Sequence, residues 1–268
     1  MNTKYEFTGE TKIVYGRTLR RIKAIVAIGA TVAPGDIGGW IENENNLSAY
    51  GNAWVYDNAR VCGHAIVHGD ARVCGNAIVS GDAEVSGDAE VLGDAEVSGN
   101  TRVCGNARVC GNARVHGDAE VYGHAIVFGN AEVYDNARVC GDAEVFGNAI
   151  VFGNAEVSGH AIVYGDAEVY DNAIVHGDAD VYGNAIVCGD ARVCGNADYM
   201  TFKNSWSSGR WFTYTASNKK WKCGCFHGTG DELVSKAYAD SELSGKCYEA
   251  IVRAVEDIAA AKKSEVKE

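Results

Sequence analysis

Residues 81–98 read GDAEVSGDAEVLGDAEVS, which is three copies of one six-residue unit. The unit is Gly-(Asn/Asp/His)-Ala-x-Val-x, and it continues without an insertion over residues 51–197. Its valine recurs at every sixth position from Val55 to Val193, which gives 24 units. A fixed short period of this kind predicts a solenoid, because each unit is too small to fold alone and must stack on its neighbours.

The local pattern of each unit predicts a short strand followed by a corner. Ala and Val lie two residues apart, so both side chains face one side of an extended segment and the residue between them faces the other. The Gly-Asn or Gly-Asp pair bends the chain, because Gly adopts positive φ freely and Asn and Asp tolerate it best among the rest. The predicted fold class is all-β, a parallel β-helix with a narrow Ala/Val core.

The outward residue between Ala and Val indicates how many units make one coil. Pairs of these residues 6 or 12 positions apart include like charges, such as Glu84/Glu90 and Glu120/Glu132. At a spacing of 18, eight pairs within the repeat are charged on both sides and all are opposite in sign, which favours neighbouring strands. These pairs are Arg72/Glu90, Glu84/Arg102, Glu90/Arg108, Glu96/Arg114, Arg102/Glu120, Arg114/Glu132, Glu120/Arg138 and Arg138/Glu156. Three units therefore form one triangular coil, and about eight coils at ~4.8 Å each give a rod ~40 Å long.

The repeat is flanked by two pieces of different composition. Residues 22–28 are apolar and typical of a strand, and Gly38-Gly39-Trp40-Ile41-Glu42 follows. We expect two or three strands here that close the first coil, because a bare coil would expose a sheet edge. The predicted regions are an N-terminal β cap, the repeat and a C-terminal piece: 1–47, 48–198 and 199–268.

The C-terminal piece begins at the point where the unit stops. Residues 210–215 and 220–226 are rich in aromatic residues and predict a β-hairpin. Two helices are expected after it, over about 231–239 and from 241 to about 262. The second helix would place three aliphatic residues on one face: Ile251, Val255 and Ile258.

Three such units per turn around a small aliphatic core resemble the hexapeptide-repeat proteins, and this resemblance implies that the β-helix is left-handed. Residues 21–27, Gly38-Gly39-Trp40 and residues 54–57 resemble the start of enterobacterial hexapeptide-repeat proteins described as transferases. The C-terminal piece is similar to the tails of hexad-repeat proteins of bacteriophages and their hosts, a family without a defined activity.

The resemblance also implies an enzymatic alternative. Many hexapeptide-repeat proteins are trimeric acyltransferases with a histidine at a subunit cleft and an extruded loop that helps to bind the acyl donor. In this chain no loop interrupts the 24 units, so the usual place for such a site is missing. His116, His124 or His160 could serve as the base, but no motif selects one of them.

Charge and composition exclude several classes of partner. Residues 51–198 contain 22 acidic and 7 basic residues, a net charge of −15, within a chain whose net charge is −12. An acidic rod repels phosphate, so we expect no nucleic-acid binding. No run of 18 apolar residues and no charged-then-apolar leader is present, so neither a membrane span nor a signal peptide is expected. Seven of the ten cysteines follow a valine of the repeat without stacking on one another, which favours free thiols and a cytoplasmic location.

Two columns of aromatic residues, with members 18 positions apart, are candidate binding surfaces. One interpretation is that similar side chains stack on each other and stabilise the coil. The other is that they form an apolar stripe covered by another subunit or by the C-terminal helices, because large exposed apolar patches usually mark interaction sites. The sequence leaves both open. The columns are Phe128, Phe146, Tyr164 and Tyr182, and Tyr134, Phe152 and Tyr170.

One of the three corners of the triangular coil contains residue types that bind metals. One column there contains Cys104, Cys140, His176 and Cys194, and the other contains His124, Asp142, His160 and Asp178. A metal site is one interpretation. The alternative, which we favour, is that His is a third tolerated residue in an Asn/Asp turn column, since a straight ladder enforces no tetrahedral geometry. The sequence thus indicates neither a catalytic residue nor a cofactor.

These observations favour a non-enzymatic β-helical scaffold or binding protein. By resemblance it would be phage-associated, and it would act as a homo-oligomer (a trimer or dimer) or by occupying a host protein. The alternative is a hexapeptide-type acyltransferase with a histidine base at a subunit cleft.

Overall fold

The computed structural model describes residues 3–206 and 208–265. Strands β1 to β3 and one 3-10 turn precede the repeat: Tyr5–Val14, Arg17–Ala24, Ile37–Ile41 and Glu44–Asn46. Strands β4 to β27 are two residues long, one per unit, from Trp54–Val55 to Arg192–Val193. Strands β28 to β31 and helices α1 and α2 follow: Tyr199–Lys203, Trp211–Thr215, Lys220–Cys223, Phe226–Gly228, Gly230–Asp240 and Glu242–Glu265. Neither helix, over the residues described, has the length and apolar character of a membrane span.

The short strands form three parallel sheets, because each strand pairs with the strand three units later. We name these sheets the first face (β4 to β25), the second face (β5 to β26) and the third face (β6 to β27) of the rod. Eight coils of three units result, and β3 together with the bridge between Leu47 and Val67 adds a further coil in front of them. The predicted parallel β-helix is therefore confirmed, with about nine coils instead of the predicted eight or so, and its left-handed winding stays a prediction.

The core is built from the Ala and Val residues of the units, all of which are fully buried up to Val193. Thr101, which replaces one alanine, is fully buried as well, and its hydroxyl donates to the carbonyl of Ser98. Ala and Val fill the space between the three faces, and among the outward residues Trp54, which packs against Tyr5 of the N-terminal cap, joins this core. The outward residues are consequently free to differ from face to face.

The charged outward residues stack as predicted. All eight oppositely charged pairs are strand neighbours and lie within ion-pair distance. Arg102, for example, lies 3.9 Å from Glu84 and 3.7 Å from Glu120. The winding of three units per coil follows from these contacts.

The N-terminal strands close the first coil. Strands β1, β2 and β3 pair in antiparallel fashion and continue the second face. The prediction of a strand over 22–28 was wrong at its C-terminal end, because the chain turns back after Ala24, whose N–H donates to the carbonyl of Asp36. Asn46 is fully buried, and its amide donates to the carbonyls of Gly63 and Ala65, which form part of the first coil.

The C-terminal piece closes the other end with a four-stranded antiparallel sheet in the order β28-β29-β30-β31. The predicted hairpin is its central pair, with Tyr214 opposite Trp221. The last coil has no following coil to accept its N–H groups, so side chains do so instead. The N–H of Ile186 donates to Thr213 Oγ1 (2.8 Å), and that of Arg192 donates to Ser217 Oγ (2.7 Å).

Helices α1 and α2 lie where the sequence predicts them and pack against each other and the sheet. The predicted apolar face of α2 was wrong at one position, since Ile258 is 48% exposed. Among the residues of this helix whose burial is described, Gly245, Tyr248, Val252 and Ala259 are buried, with Ile251 and Val255 partly buried beside them.

Candidate functional site

The first ladder, which consists of Phe128, Phe146, Tyr164 and Tyr182, lies on the first face of the rod. Each member follows the valine of one strand, so successive rings are separated by one coil. The ring centroids are 4.6, 5.0 and 5.4 Å apart, and the planes differ by at most 19°. Stacking of the column is therefore confirmed, while its role in binding is a separate question.

The second ladder, on the second face, is longer than the sequence predicted. Tyr134, Phe152 and Tyr170 stack at 5.0 and 4.7 Å, and His116 adds a fourth ring at 4.9 Å from Tyr134. At the other end Lys222 of β30 places its Nζ 5.6 Å from the Tyr170 ring. Burial, with Cys188 beside the phenol, raises the pKa of Tyr170 above its usual range. The C-terminal sheet thus covers the end of the second ladder.

The first ladder is covered by the C-terminal helices only at its end. Tyr182 is 52% exposed, and it forms one wall of a cleft of about 600 Å³. The opposite wall includes Ile251 and Val255 of α2, together with Lys203 at the end of β28 and Trp206 shortly after it. Phe128, Phe146 and Tyr164 lie away from this cleft and are half-buried, each by its neighbours in the column. The helices therefore do not cover the stripe as a whole.

Two polar columns border the first ladder. On one side, the outward residues of the same strands alternate between aliphatic and acidic: Ile126, Glu144, Ile162 and Asp180. On the other side, side-chain amides form a ladder in which Asn130 Nδ2 donates to Asn148 Oδ1 (3.1 Å) and Asn148 Nδ2 donates to Asp166 Oδ1 (2.9 Å). Glu144 and Asp180 were not among the candidates taken from the sequence, although they lie in one 18-residue column, 36 residues apart.

The candidate metal ligands lie in one column at the corner between the third and first faces. His160 Nδ1 is 3.8 Å from Asp142 Oδ2, and His124 and Asp178 occupy the coils on either side of this pair. Throughout residues 3–206 and 208–265, no group of three or more His, Cys, Asp or Glu side chains is arranged to hold a metal ion. The corner supplies pairs of potential ligands only.

One pair at the third face resembles a nucleophile and its base. Cys194 Sγ lies 3.0 Å from His176 Nε2 at the exposed end of the rod. Burial and the neighbouring Asp198 raise the pKa of the Cys194 thiol, whereas a nucleophilic cysteine needs a lowered pKa. The surroundings of Cys194 therefore favour the thiol over the thiolate.

These features define a class of protein: a repeat-based parallel β-helix with capped ends and stacked outward columns. A protein-family model described as the YdcK Beta solenoid repeat matches residues 53–69, 71–87 and 101–117. These segments are similar to that repeat and cover the N-terminal half of the rod. No curated protein matches the chain significantly.

Proposed function

We propose that the chain is a non-enzymatic β-helical scaffold that acts by binding another protein along its first ladder. The observation that carries this proposal is the contiguous stack of four aromatic rings on a face that neither the caps nor the helices cover, apart from its end at Tyr182. Rigid, stacked aromatic side chains lose little conformational entropy on binding and are enriched in protein interfaces.

Two further observations support a binding role over acyl transfer. The strands succeed one another at six-residue intervals over all 24 units, so the coils extrude no loop that could hold an acyl donor. The similarity of the C-terminal piece to the tails of phage-associated proteins supports a cytoplasmic host protein as the partner. Association of the rod with itself as a dimer or trimer is the other form of this proposal.

The experiment compares partner capture by the wild-type chain and by the triple variant Phe128→Ser, Phe146→Ser, Tyr164→Ser. The control variant carries Leu92→Ser and Cys110→Ser, which lie in the same column of the first face outside the ladder. We expect the wild-type and control chains to retain a protein from a bacterial lysate. The triple variant should not retain it. Sedimentation velocity on the same three samples detects self-association through the ladder.

Two results would contradict the proposal. One is capture and oligomeric state that do not differ between the triple variant and the control. The other is a rise in melting temperature on addition of acetyl-coenzyme A, since a ligand that binds only the folded state stabilises it. That second result would favour the acyltransferase alternative.

A further inference from the structure

We propose that the first ladder and the acidic column beside it bind an extended basic segment of a partner protein, with its Lys or Arg side chains at the carboxylates and its apolar parts against the exposed ring edges. This inference rests on the proposed function and adds the chemistry of the partner.

The first observation is that charge compensation stops where the aromatic residues begin. In the outward column of the first face, Glu90 lies 3.0 Å from Arg72 and 3.2 Å from Arg108. One coil after Arg108, the same column contains Ile126. Phe128, two residues further along the chain, is the first ring of the ladder. The N-terminal part of this face is therefore neutralised by its own arginines, and the C-terminal part is not.

The second observation concerns the acids beside the ladder. Glu144 has Ile126 and Ile162 as its two strand neighbours, and Asp180 follows Ile162. Within the described part of the chain, neither carboxylate has a Lys or Arg in ion-pair contact, and Asp180 Oδ2 accepts a hydrogen bond from Asn196 Nδ2 at 3.5 Å. No Lys or Arg occurs between Val139 and Ala191, a stretch with nine acidic residues. Carboxylates spaced along an apolar stripe favour a cationic ligand.

The third observation is that this protein already places its own cations on rings at the same position of the unit. The guanidinium of Arg72 lies 5.9 Å from the Tyr56 ring, and that of Arg138 lies 5.6 Å from the Tyr122 ring. Lys222 does the same at the end of the second ladder. Cations are attracted to the face of an aromatic ring within about 6 Å of its centroid. In the first ladder the inner rings have both faces covered by their stacked neighbours at 4.6–5.4 Å, so this contact is open only at the ends of the column, and the rest of the ladder offers a partner an apolar stripe of ring edges.

The spacing of the coils suits an extended segment that runs along the rod. Glu144 and Asp180 are two coils apart, which is ~9.6 Å at ~4.8 Å per coil. A polyproline II segment rises ~3.1 Å per residue with three residues per turn, so every third side chain faces one side at ~9.3 Å intervals. A segment with a cation at every third residue therefore matches the acidic column.

A second copy of the chain fits this surface less well. Residues 51–198 have a net charge of −15, so two rods side by side would bring acidic faces together. Nucleic acid is disfavoured for the same reason. A basic protein segment is the occupant that the charges favour.

The experiment measures binding of a fluorescent peptide with lysine at every third position to the full-length chain by anisotropy. We expect saturable binding that weakens with added salt, because exposed charges are screened. The same peptide with acetylated lysines, which carry no charge, should bind about tenfold more weakly. The variant Glu144→Gln, Asp180→Asn should also lose about tenfold. The control Asp88→Asn, Asp118→Asn removes the same charge from the N-terminal half and should stay within about twofold of wild type.

The possible results separate this inference from the proposed function. Equal losses in the two charge variants would show nonspecific attraction to an acidic rod and would overturn the inference. Absence of peptide binding, with partner capture still dependent on the ladder, would overturn the inference and leave the proposed function standing. Self-association that the serine variant of the ladder abolishes would identify a second copy as the occupant and would also overturn it.

Discussion

Each corner of the rod depends on one residue with positive φ. Glycine occupies this position in most units, and aspartate adopts it at Asp57, Asp135 and Asp171, with φ of 51°, 58° and 60°. Within the rod a second constraint acts, because the corners of successive coils stack closely. A Cβ on Gly99 would lie 2.6 Å from the carbonyl oxygen of Gly117. Near the end of the rod, a Cβ on Gly183 would have no atom within 4 Å.

Comparing an alanine at Gly183 with one at Gly99 separates the strain of positive φ from steric crowding between successive coils. Gly183→Ala, with φ of 67°, should lose ~1–2 kcal/mol in the free energy of unfolding, the cost of left-handed backbone for an L-residue. Gly99→Ala, with φ of 80°, should lose clearly more, because the backbone it meets is held in the next coil. Urea unfolding followed by circular dichroism measures both. Equal losses would show that crowding between corners contributes nothing.

Lys4 is a buried cation at the N-terminal cap. Its Nζ donates to the carbonyl of Ser48 (3.1 Å), and burial lowers its pKa to about 8, an effect that nearby Asp70 partly offsets. An unfolded lysine keeps its proton up to about 10.5. Between these values the unfolded chain binds more protons than the folded chain, so Lys4 makes the fold more stable as the pH rises from 8 towards 10.5.

The substitution Lys4→Met removes this titration. We expect the melting temperature of the variant minus that of the wild type to be largest near pH 7 and to shrink by pH 9.5, because only the wild type gains stability over that range. Subtracting the two curves cancels the contribution of Lys12, whose pKa burial, Arg60 and Arg21 also lower to about 8. A difference that is constant from pH 7 to 9.5 would be inconsistent with the burial of a charged Lys4.

At the scale of elements, both caps supply hydrogen-bond partners to backbone groups of the end coils, and the two caps use different side chains to do so. A β-helix exposes unpaired backbone groups at its last coil, and buried backbone groups without partners are costly. At the C-terminal end the hydroxyl of Thr213, which is buried, accepts the N–H of Ile186. The C-terminal sheet is therefore positioned by hydrogen bonds to the rod as well as by its own apolar core.

Thr213→Val tests this contact, because valine has nearly the same shape and lacks the acceptor. We expect a loss of ~1–3 kcal/mol in the free energy of unfolding, the cost of leaving a buried donor unpaired. Hydrogen exchange at the Ile186 amide should become faster at the same time. Thr201→Val, in the same sheet but half-exposed, is the control and should change stability by less than ~0.5 kcal/mol. Unchanged exchange at Ile186 would count against a capping role for Thr213.

The sequence predicted the repeated elements well because every unit applies the same local rule and the charged columns report on contacts 18 residues apart. The C-terminal sheet was only half predicted. Strands β28 and β31 lack regular alternation, and their pairing depends on contacts with β29 and β30 that no period reveals. The exposure of Ile258 and the capping by Thr213 likewise depend on tertiary packing. In the candidate site the ring columns were predictable, whereas the cleft at Tyr182 depends on where α2 packs.

At the scale of the whole molecule, the rod is a stack that could grow at either end. Each coil offers the next one the same set of backbone donors and acceptors, and at the two ends side chains of the caps bond to some of these groups. The acidic surface adds a second barrier, since parallel rods of like charge repel each other until salt screens them. The caps and the charge therefore both oppose association of one rod with another.

Removal of residues 199–268 tests whether the C-terminal cap prevents association of one rod with another. The truncated chain loses the acceptors of Ile186 and Arg192 on the second and third faces, while Asn196, which accepts the N–H of Asp180 at 2.6 Å, remains. We expect self-association through this partly bare end that increases with protein concentration and with salt, measured by sedimentation velocity.

Circular dichroism must show that the truncated rod keeps its β structure. The full-length double variant Thr213→Val, Ser217→Ala provides a second test in case the truncated chain does not fold, and it should associate in the same direction but more weakly. If both chains stay at one sedimentation coefficient at every concentration and salt level, the caps are not what limits the length of the stack. The acidic surface would then be sufficient to keep the rods apart.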